Sequence, residues 1–409
     1  FVAITALAAL LFAYQLYKLY RSHKLYAIRK APKEVVDLLG DTIDEDHFVK
    51  TQNYHKEINN LEVVKCVVSF ISTVLVICTP LLKALWDITD VGNIFISSIL
   101  FDAAFNILST IINLPLGYYM TFVIRAKYDM NRMTLATFFK DTAKMFLLQE
   151  VLSVIIISFL LLFADTQNLA IYLWAALVTL MMVINIILVP VIIPLFYNKK
   201  PLEDEELKKF VFAKLDEVDF HVGTINVIDA STKMSEANAM VAGFIKKDVI
   251  IFDNLLQIAT KEEVVDTILH EVGHFKHHDI LKLNVLNSIY MLGILKFMEF
   301  FLFDDSLYRE FGFMERNYVV GVSLLSIFLQ PVNELLSVGI NYITRKCEFG
   351  ADAFATDNGY HFLGNVLIKL TKKNLSQLVS DPFLSTIESS HPSLLERLAA
   401  INERINKKN

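Results

Sequence analysis

The chain has 409 residues, of which 54% are hydrophobic and only 20% charged, and its mean hydropathy is +0.46. A soluble globule of that composition would expose too much apolar surface, so the sequence reads as that of a membrane protein. The net charge of −6 is modest and spread out, which argues against a nucleic-acid partner, and Cys66, Cys78 and Cys347 are too few and too scattered for a disulfide framework.

A helix needs about 20 apolar residues to cross a hydrocarbon core of about 30 Å. Segments 1–20, 63–85, 93–123, 145–164, 169–196, 280–303 and 318–344 meet that requirement, which predicts seven spans. The sequence begins at Phe1 rather than Met, so the expectation is that its true N-terminus lies upstream. Arg21, Lys24, Arg29, Lys30 and Lys33 follow the first span, and Arg125, Lys127, Arg132, Lys140 and Lys144 follow the third. Residues 166–168 carry no cation and 304–316 are acid-rich. The positive-inside rule makes the first two loops cytosolic, and alternation places 197–279 and everything after Arg345 on that same side.

Residues 197–279 read as a small folded insert. Helical periodicity with a charged face runs over 203–218, 223–228 is strand-like, 237–244 alternates weakly and 248–252 is a β-branched run. A two- or three-stranded sheet leading into a helix is expected. Asn238-Ala239 is singled out as an edge strand able to pair with a substrate backbone, with ordinary hairpin backbone as the alternative.

That helix carries His270-Glu271-Val272-Gly273-His274, the HExxH pattern. Imidazoles at i and i+4 share a face and can grip one Zn²⁺, and the glutamate between them is placed to deprotonate water. The alternative is a surface helix that happens to carry two histidines. A catalytic zinc takes three protein ligands and keeps one position open. Asn341, Arg345, Glu348 and Asp352 follow one another at +4, +3 and +4, on one helical face at the end of the last span, with Glu334 a heptad earlier. Glu348 is the best third ligand on that stripe, and Asp352 is one turn beyond, where it can accept the free N–H of a ligand histidine; Asn341 is assigned to the same supporting layer. A surface helix with an Arg345 to Glu348 ion pair is the alternative.

HEVGHFKHHD, two apolar spans, RKCEFGADAFA and SHPSLLERL, with PLFYNKKPLEDEEL ahead of them, closely resemble the type I CAAX prenyl proteases. These are integral-membrane zinc endopeptidases that process prenylated proteins. The resemblance implies His270, His274 and Glu348 as zinc ligands, Glu271 as catalytic base, Asp352 as the carboxylate behind the ligands, and Asn238-Ala239 as the substrate-pairing strand. It also implies His391 and Arg397 beside the reacting carbonyl; from the residues alone His391 is only a turn residue before a proline. Two positions depart from the family pattern: Asp279 stands where a histidine is common, and Ser393 replaces the second proline of the usual His-Pro-Pro run.

The fold class expected is therefore membrane α-helical, with about seven transmembrane helices enclosing a chamber and a small cytosolic α/β insert bearing HExxH. The domain reading is 1–196 for spans one to five, 197–279 for the insert, 280–344 for spans six and seven, and 345–409 for a C-terminal cytosolic helical region. Asp102, Asn106, Asn113, Gln149 and Asn185 interrupt the spans. They line a wet cavity or hydrogen-bond between helices; against lipid they would be costly. The resemblance implies removal of the C-terminal tripeptide from prenylated CAAX proteins, with Zn²⁺ as cofactor and a second upstream cleavage as a further possibility. It also implies the endoplasmic-reticulum membrane, with the inner nuclear membrane as an alternative. The partners expected are prenylated CAAX peptides or proteins and the lipid bilayer, with no nucleic acid. Two rival readings are a membrane quality-control zinc protease, which typically has fewer spans, and a catalytically silent membrane scaffold with a structural zinc.

Overall fold

The computed structural model describes residues 2–39, 42–243 and 247–408. Seven long helices dominate it: Val2–Tyr26, Glu45–Cys78, Ile94–Arg125, Leu135–Phe163, Leu169–Phe196, Asp279–Leu302 and Tyr318–Asn358. Among the described residues, six of these are long and apolar enough to cross a membrane by length and composition. The seventh, Val2–Tyr26, carries the expected span 1–20, of which Phe1 lies outside the described residues.

Polar residues start these helices where the sequence supplies them. Asp44, Asn93, Thr134 and Asn317 each accept a backbone N–H from the first turn that follows, satisfying donors a helix start leaves without intrahelical partners. Pro115 and Pro190 sit in the third and fifth spans, before and within stretches of π-helix. There the missing proline N–H makes a widened turn less costly.

In five of the six spans no more than 17% of the apolar window is buried. A packed bundle would bury far more, so these helices form a thin wall with two exposed faces, as a ring around a chamber requires. One of the polar interruptions joins two spans, as one of the two expectations has it. Asn106 donates to Asp102 and, across to the next span, to Glu150, each at 2.9 Å. Asn113 and Asn185 return to carbonyls of their own helices.

The two ends of the ring are sealed by different apolar clusters. At one end Leu82, Trp86, Leu169, Tyr308 and Val320 pack together. At the other, Val35, Leu39 and Phe48 from the first connection join Leu207, Val249 and Leu269 of the insert and Leu363, Val366 and Leu398 of the C-terminal region. The insert and the C-terminal helices therefore share one core. The connection after the first helix lies at that same end, as the parity of the charged loops required.

The insert contains a four-stranded sheet, one strand more than expected: β1 (Lys199–Pro201), β2 (Ile225–Ile228), β3 (Ala239–Ala242) and β4 (Asp248–Phe252), in the order β1-β2-β4-β3. β2 and β4 run parallel and the other pairs antiparallel. β1 was missed because three residues ending in proline show no alternation. Phe244, the end of the expected alternating run, lies outside the described residues. β3 is an outer strand, paired with β4 alone.

Candidate active site

The HExxH residues lie on a helix, Lys261–Lys276, whose start is fixed by a capping box. Thr260 accepts the Glu263 N–H and Glu263 accepts the Thr260 N–H, so two first-turn donors are satisfied reciprocally. This helix packs on the last turns of Tyr318–Asn358, and the contact passes through Gly273. A Cβ at Gly273 would lie 2.9 Å from Ala351 Cα, so the absence of a side chain there lets the helices that carry His270 and Glu348 approach. Asp266, fully buried one turn before His270, accepts N–H groups from Tyr360 and Phe362, both at 2.7 Å, and ties the end of the partner helix down.

That approach brings His270, His274 and Glu348 together, with one donor atom from each lying within 4.8 Å of the others. His270 Nε2 is 3.5 Å from Glu348 Oε2, and His274 Nε2 is 3.5 Å from Glu348 Oε1. Donor atoms on adjacent corners of a tetrahedron with metal bonds of about 2.0–2.1 Å sit about 3.3 Å apart. Glu348 Oε2 is buried and has no well-aligned hydrogen bond, only imidazole nitrogens nearby. Two imidazoles and a carboxylate at that spacing, with an acceptor left over, fit a divalent cation.

Each imidazole is held from behind. His270 Nδ1 lies 2.9 Å from Asp352 Oδ1, and His274 Nδ1 lies 3.2 Å from Asp279 Oδ2. Such carboxylates fix the tautomer that leaves Nε2 free for a metal. Asp279 reaches His274 because His278 adopts a left-handed conformation, φ 56°, which ends one helix and turns the start of the next back on it. In the sequence Asp279 stood out only as a departure from the family pattern; its role depends on that turn. Burial works against the charged form of His270, but Asp352 and Glu348 outweigh it and lift its pKa to about 9.

Glu271 lies between His270 and His274 and against β3, where the Val241 backbone hydrogen-bonds its carboxylate. Burial raises its pKa above the usual glutamate range, with His270 and His274 pulling the other way. Asn238 O accepts the Phe252 N–H, so the alternation of an antiparallel pair turns the polar groups of Ala239 and Val241 to the free edge. There the Ala239 N–H is held by the Asn238 side-chain oxygen at 2.8 Å.

His391 Nδ1 lies 3.1 Å from Glu348 Oε2, with the rest of its side chain largely exposed. Arg397 lies at the same site: its Nε and Nη2 grip Asp352 at 2.8 and 2.6 Å, and Nη1 stands 3.9 Å from Glu348. Asn341 does not join the carboxylates behind the ligands. It donates to the Ile387 carbonyl at 3.0 Å, because the stripe seven residues before Glu348 faces the C-terminal segment there. Arg345 likewise forms no pair with Glu348; it donates to the carbonyls of Ser385, Thr386 and Ser389. These are the last carbonyls around helix Pro382–Glu388, which leads into His391.

A ring of membrane helices carrying an HExxH helix, with a carboxylate brought beside its two histidines, is the architecture of an integral-membrane metalloprotease. Residues 23–198 match the model of the CAAX prenyl protease N-terminal domain, five membrane helices, and 201–405 match that of peptidase family M48. The chain is 30% identical to the CAAX prenyl protease 1 homolog of Oryza sativa subsp. japonica over 99% of its length and 98% of the relative's. It is 28% identical to CAAX prenyl protease 1 of Saccharomyces cerevisiae, over 97% and 94%. The crystal structure of S. mikatae Ste24p superposes with a TM-score of 0.92 at 27% identity, covering 98% of both chains. The chain belongs to the CAAX prenyl proteases of peptidase family M48.

Proposed function

We propose that the protein is a zinc endopeptidase that removes the C-terminal tripeptide from prenylated CAAX proteins at the endoplasmic-reticulum membrane. The observation that carries this reading is the pair of 3.5 Å separations from the two histidine Nε2 atoms to the two oxygens of Glu348, with Glu271 beside them on the free edge of β3. The names of the relatives, CAAX prenyl protease 1 and its homologs, support the substrate class.

His270, His274 and Glu348 would hold the metal, which when bound acts as a Lewis acid on the scissile carbonyl and lowers the pKa of water. The chain's own residues do the rest. Asp352 and Asp279 face Nδ1 of the two imidazoles and leave each Nε2 turned towards the metal position. Glu271 takes the proton of the attacking water and passes it to the leaving amine, a role that its buried place between the two ligands favours. His391, exposed on the open side of Glu348, donates to the oxygen on which charge develops, and Arg397 adds positive potential while anchoring Asp352. A substrate backbone adds to β3 at Ala239, with the Asn238 carboxamide exchanging its bond to the Ala239 N–H for one to the peptide.

The test is incubation of the purified protein in detergent with farnesylated and non-farnesylated CAAX peptides, with and without a chelator. Release of the tripeptide from the farnesylated peptide alone, abolished by chelator and restored by zinc, is expected. Equal cleavage of both peptides would remove the prenyl group from the recognition.

A further inference from the structure

The free edge of β3 is closed at one end by a side chain. Asn374 Oδ1 accepts the Ala237 N–H at 2.9 Å and its Nδ2 donates to the Ala237 carbonyl at 3.2 Å. A carboxamide that takes both polar groups of one residue occupies the place of a pairing strand. The bonds fall two residues before Ala239, on the same outward side of the strand, where a longer substrate would continue the ladder.

Asn374 is not a chance surface contact. It caps helix Leu363–Lys373, and the next residue, Leu375, is held in the left-handed region at φ 47°. A bulky non-glycine residue there is strained, and the surroundings must impose it. They do: Leu375 is buried against Tyr54 and Tyr128, and its carbonyl accepts the His55 Nε2–H at 2.8 Å from helix Glu45–Cys78. The strand segment is braced from the other side as well, by Asn254 Nδ2 on the carbonyls of Met234 and Glu236, both at 3.0 Å. Asn374 and Asn254 thus hold the backbone just before Ala239, and helix Glu45–Cys78 fixes the residue next to Asn374.

We infer that Asn374 is a specificity-determining residue that limits how far a substrate backbone can pair with β3. The edge groups of Ala239 and Val241, held here by the side chains of Asn238 and Glu271, are the ones a substrate would take over, and the ladder stops at Ala237. The substrate chain must leave the strand direction at that point, so residues beyond it add no binding energy through β pairing. The inference rests on the reading of β3 as the substrate-pairing strand.

The experiment compares the zinc-loaded full chain with Asn374→Ala and Asn374→Asp on farnesylated peptides lengthened one residue at a time at either end. Wild-type kcat/KM is expected to change little with added length. Asn374→Ala frees both groups of Ala237, so kcat/KM should rise about two- to tenfold with length on one side, the worth of one or two net hydrogen bonds. Asn374→Asp keeps an acceptor for the Ala237 N–H and should show a smaller rise. Identical length profiles for all three proteins, with the wild type active, would overturn the inference. Failure of the wild type to cut any prenylated peptide would instead overturn the function proposed above. Amide exchange at Ala237 reads the closure without substrate: slow in the wild type and accelerated in Asn374→Ala is expected, and no acceleration overturns it.

Discussion

One oxygen of Asp352 faces both His270 and Arg397: its Oδ1 lies 2.9 Å from the His270 Nδ1 and 2.6 Å from the Arg397 Nη2, while Oδ2 accepts the Arg397 Nε–H. The ligand histidine and the C-terminal helix Leu394–Lys408 are therefore fixed by the same buried carboxylate. Asp352→Asn keeps the shape and removes the charge that both partners need. Metal affinity should fall about 10- to 100-fold, as loss of such supporting groups does, read by chelator competition at constant pH. Unchanged affinity would make Asp352 a packing residue only.

Gly273 sets the distance between the helices that carry the ligands. A methyl group there meets backbone at Ala351, which cannot swing aside as a side chain can. Gly273→Ala should cost about 1–3 kcal/mol, the usual range for overpacking, and should weaken metal binding together with activity. A double variant with Ala351→Gly is not expected to recover much, because the contact is to Cα. Full metal content in the single variant would show that the helices separate without disturbing the site.

Glu271→Gln should retain the metal and lose turnover by at least about 10²-fold, within the usual worth of a positioned acid or base. The metal content of the variant and single-turnover cleavage measured on the same sample check this. Turnover near the wild-type rate would remove Glu271 as the base.

Metal binding should release protons. The metal-free site holds His270 protonated up to about pH 9, because Asp352 and Glu348 favour the imidazolium over the opposing effect of burial; His274 is raised in the same direction, by Glu348 against burial. A ligand imidazole must be neutral, so zinc displaces those protons. Affinity should rise with pH until about pH 9 and flatten above it, and calorimetry in buffers of different ionisation enthalpy should show net proton release near neutrality. Binding without proton release would mean that the imidazoles are neutral before the metal arrives.

Arg345 caps the end of the short helix that precedes His391, through the carbonyls of Ser385, Thr386 and Ser389. Arg345→Ala leaves those carbonyls without donors and frees the loop that carries His391. The expected result is a loss of kcat approaching that of His391→Ala, with metal retained. Arg345→Lys, which keeps a charge but loses the fork, should recover part of it. Normal kcat in Arg345→Ala would show that His391 needs no such support.

Composition and apolar run length were enough to establish a multi-pass membrane protein, because crossing lipid demands helices that hydrogen-bond internally. The spacings i, i+4 in HExxH and +4, +3, +4 from Asn341 to Asp352 were legible for the same reason: a helix converts sequence distance directly into a shared face. The same rule misplaced Asn341, since a face that runs two turns back from Glu348 meets different neighbours along its length.

What the sequence determined by itself was therefore the set of helices and the side chains each presents on one face. Only the tertiary structure decided how closely Gly273 lets two such faces meet, that a left-handed His278 turns Asp279 back onto His274, and that Asn374 reaches Ala237 across 137 positions. Those relations arise where helices and strands distant in the chain pack against one another, and no local periodicity encodes the distance between two surfaces.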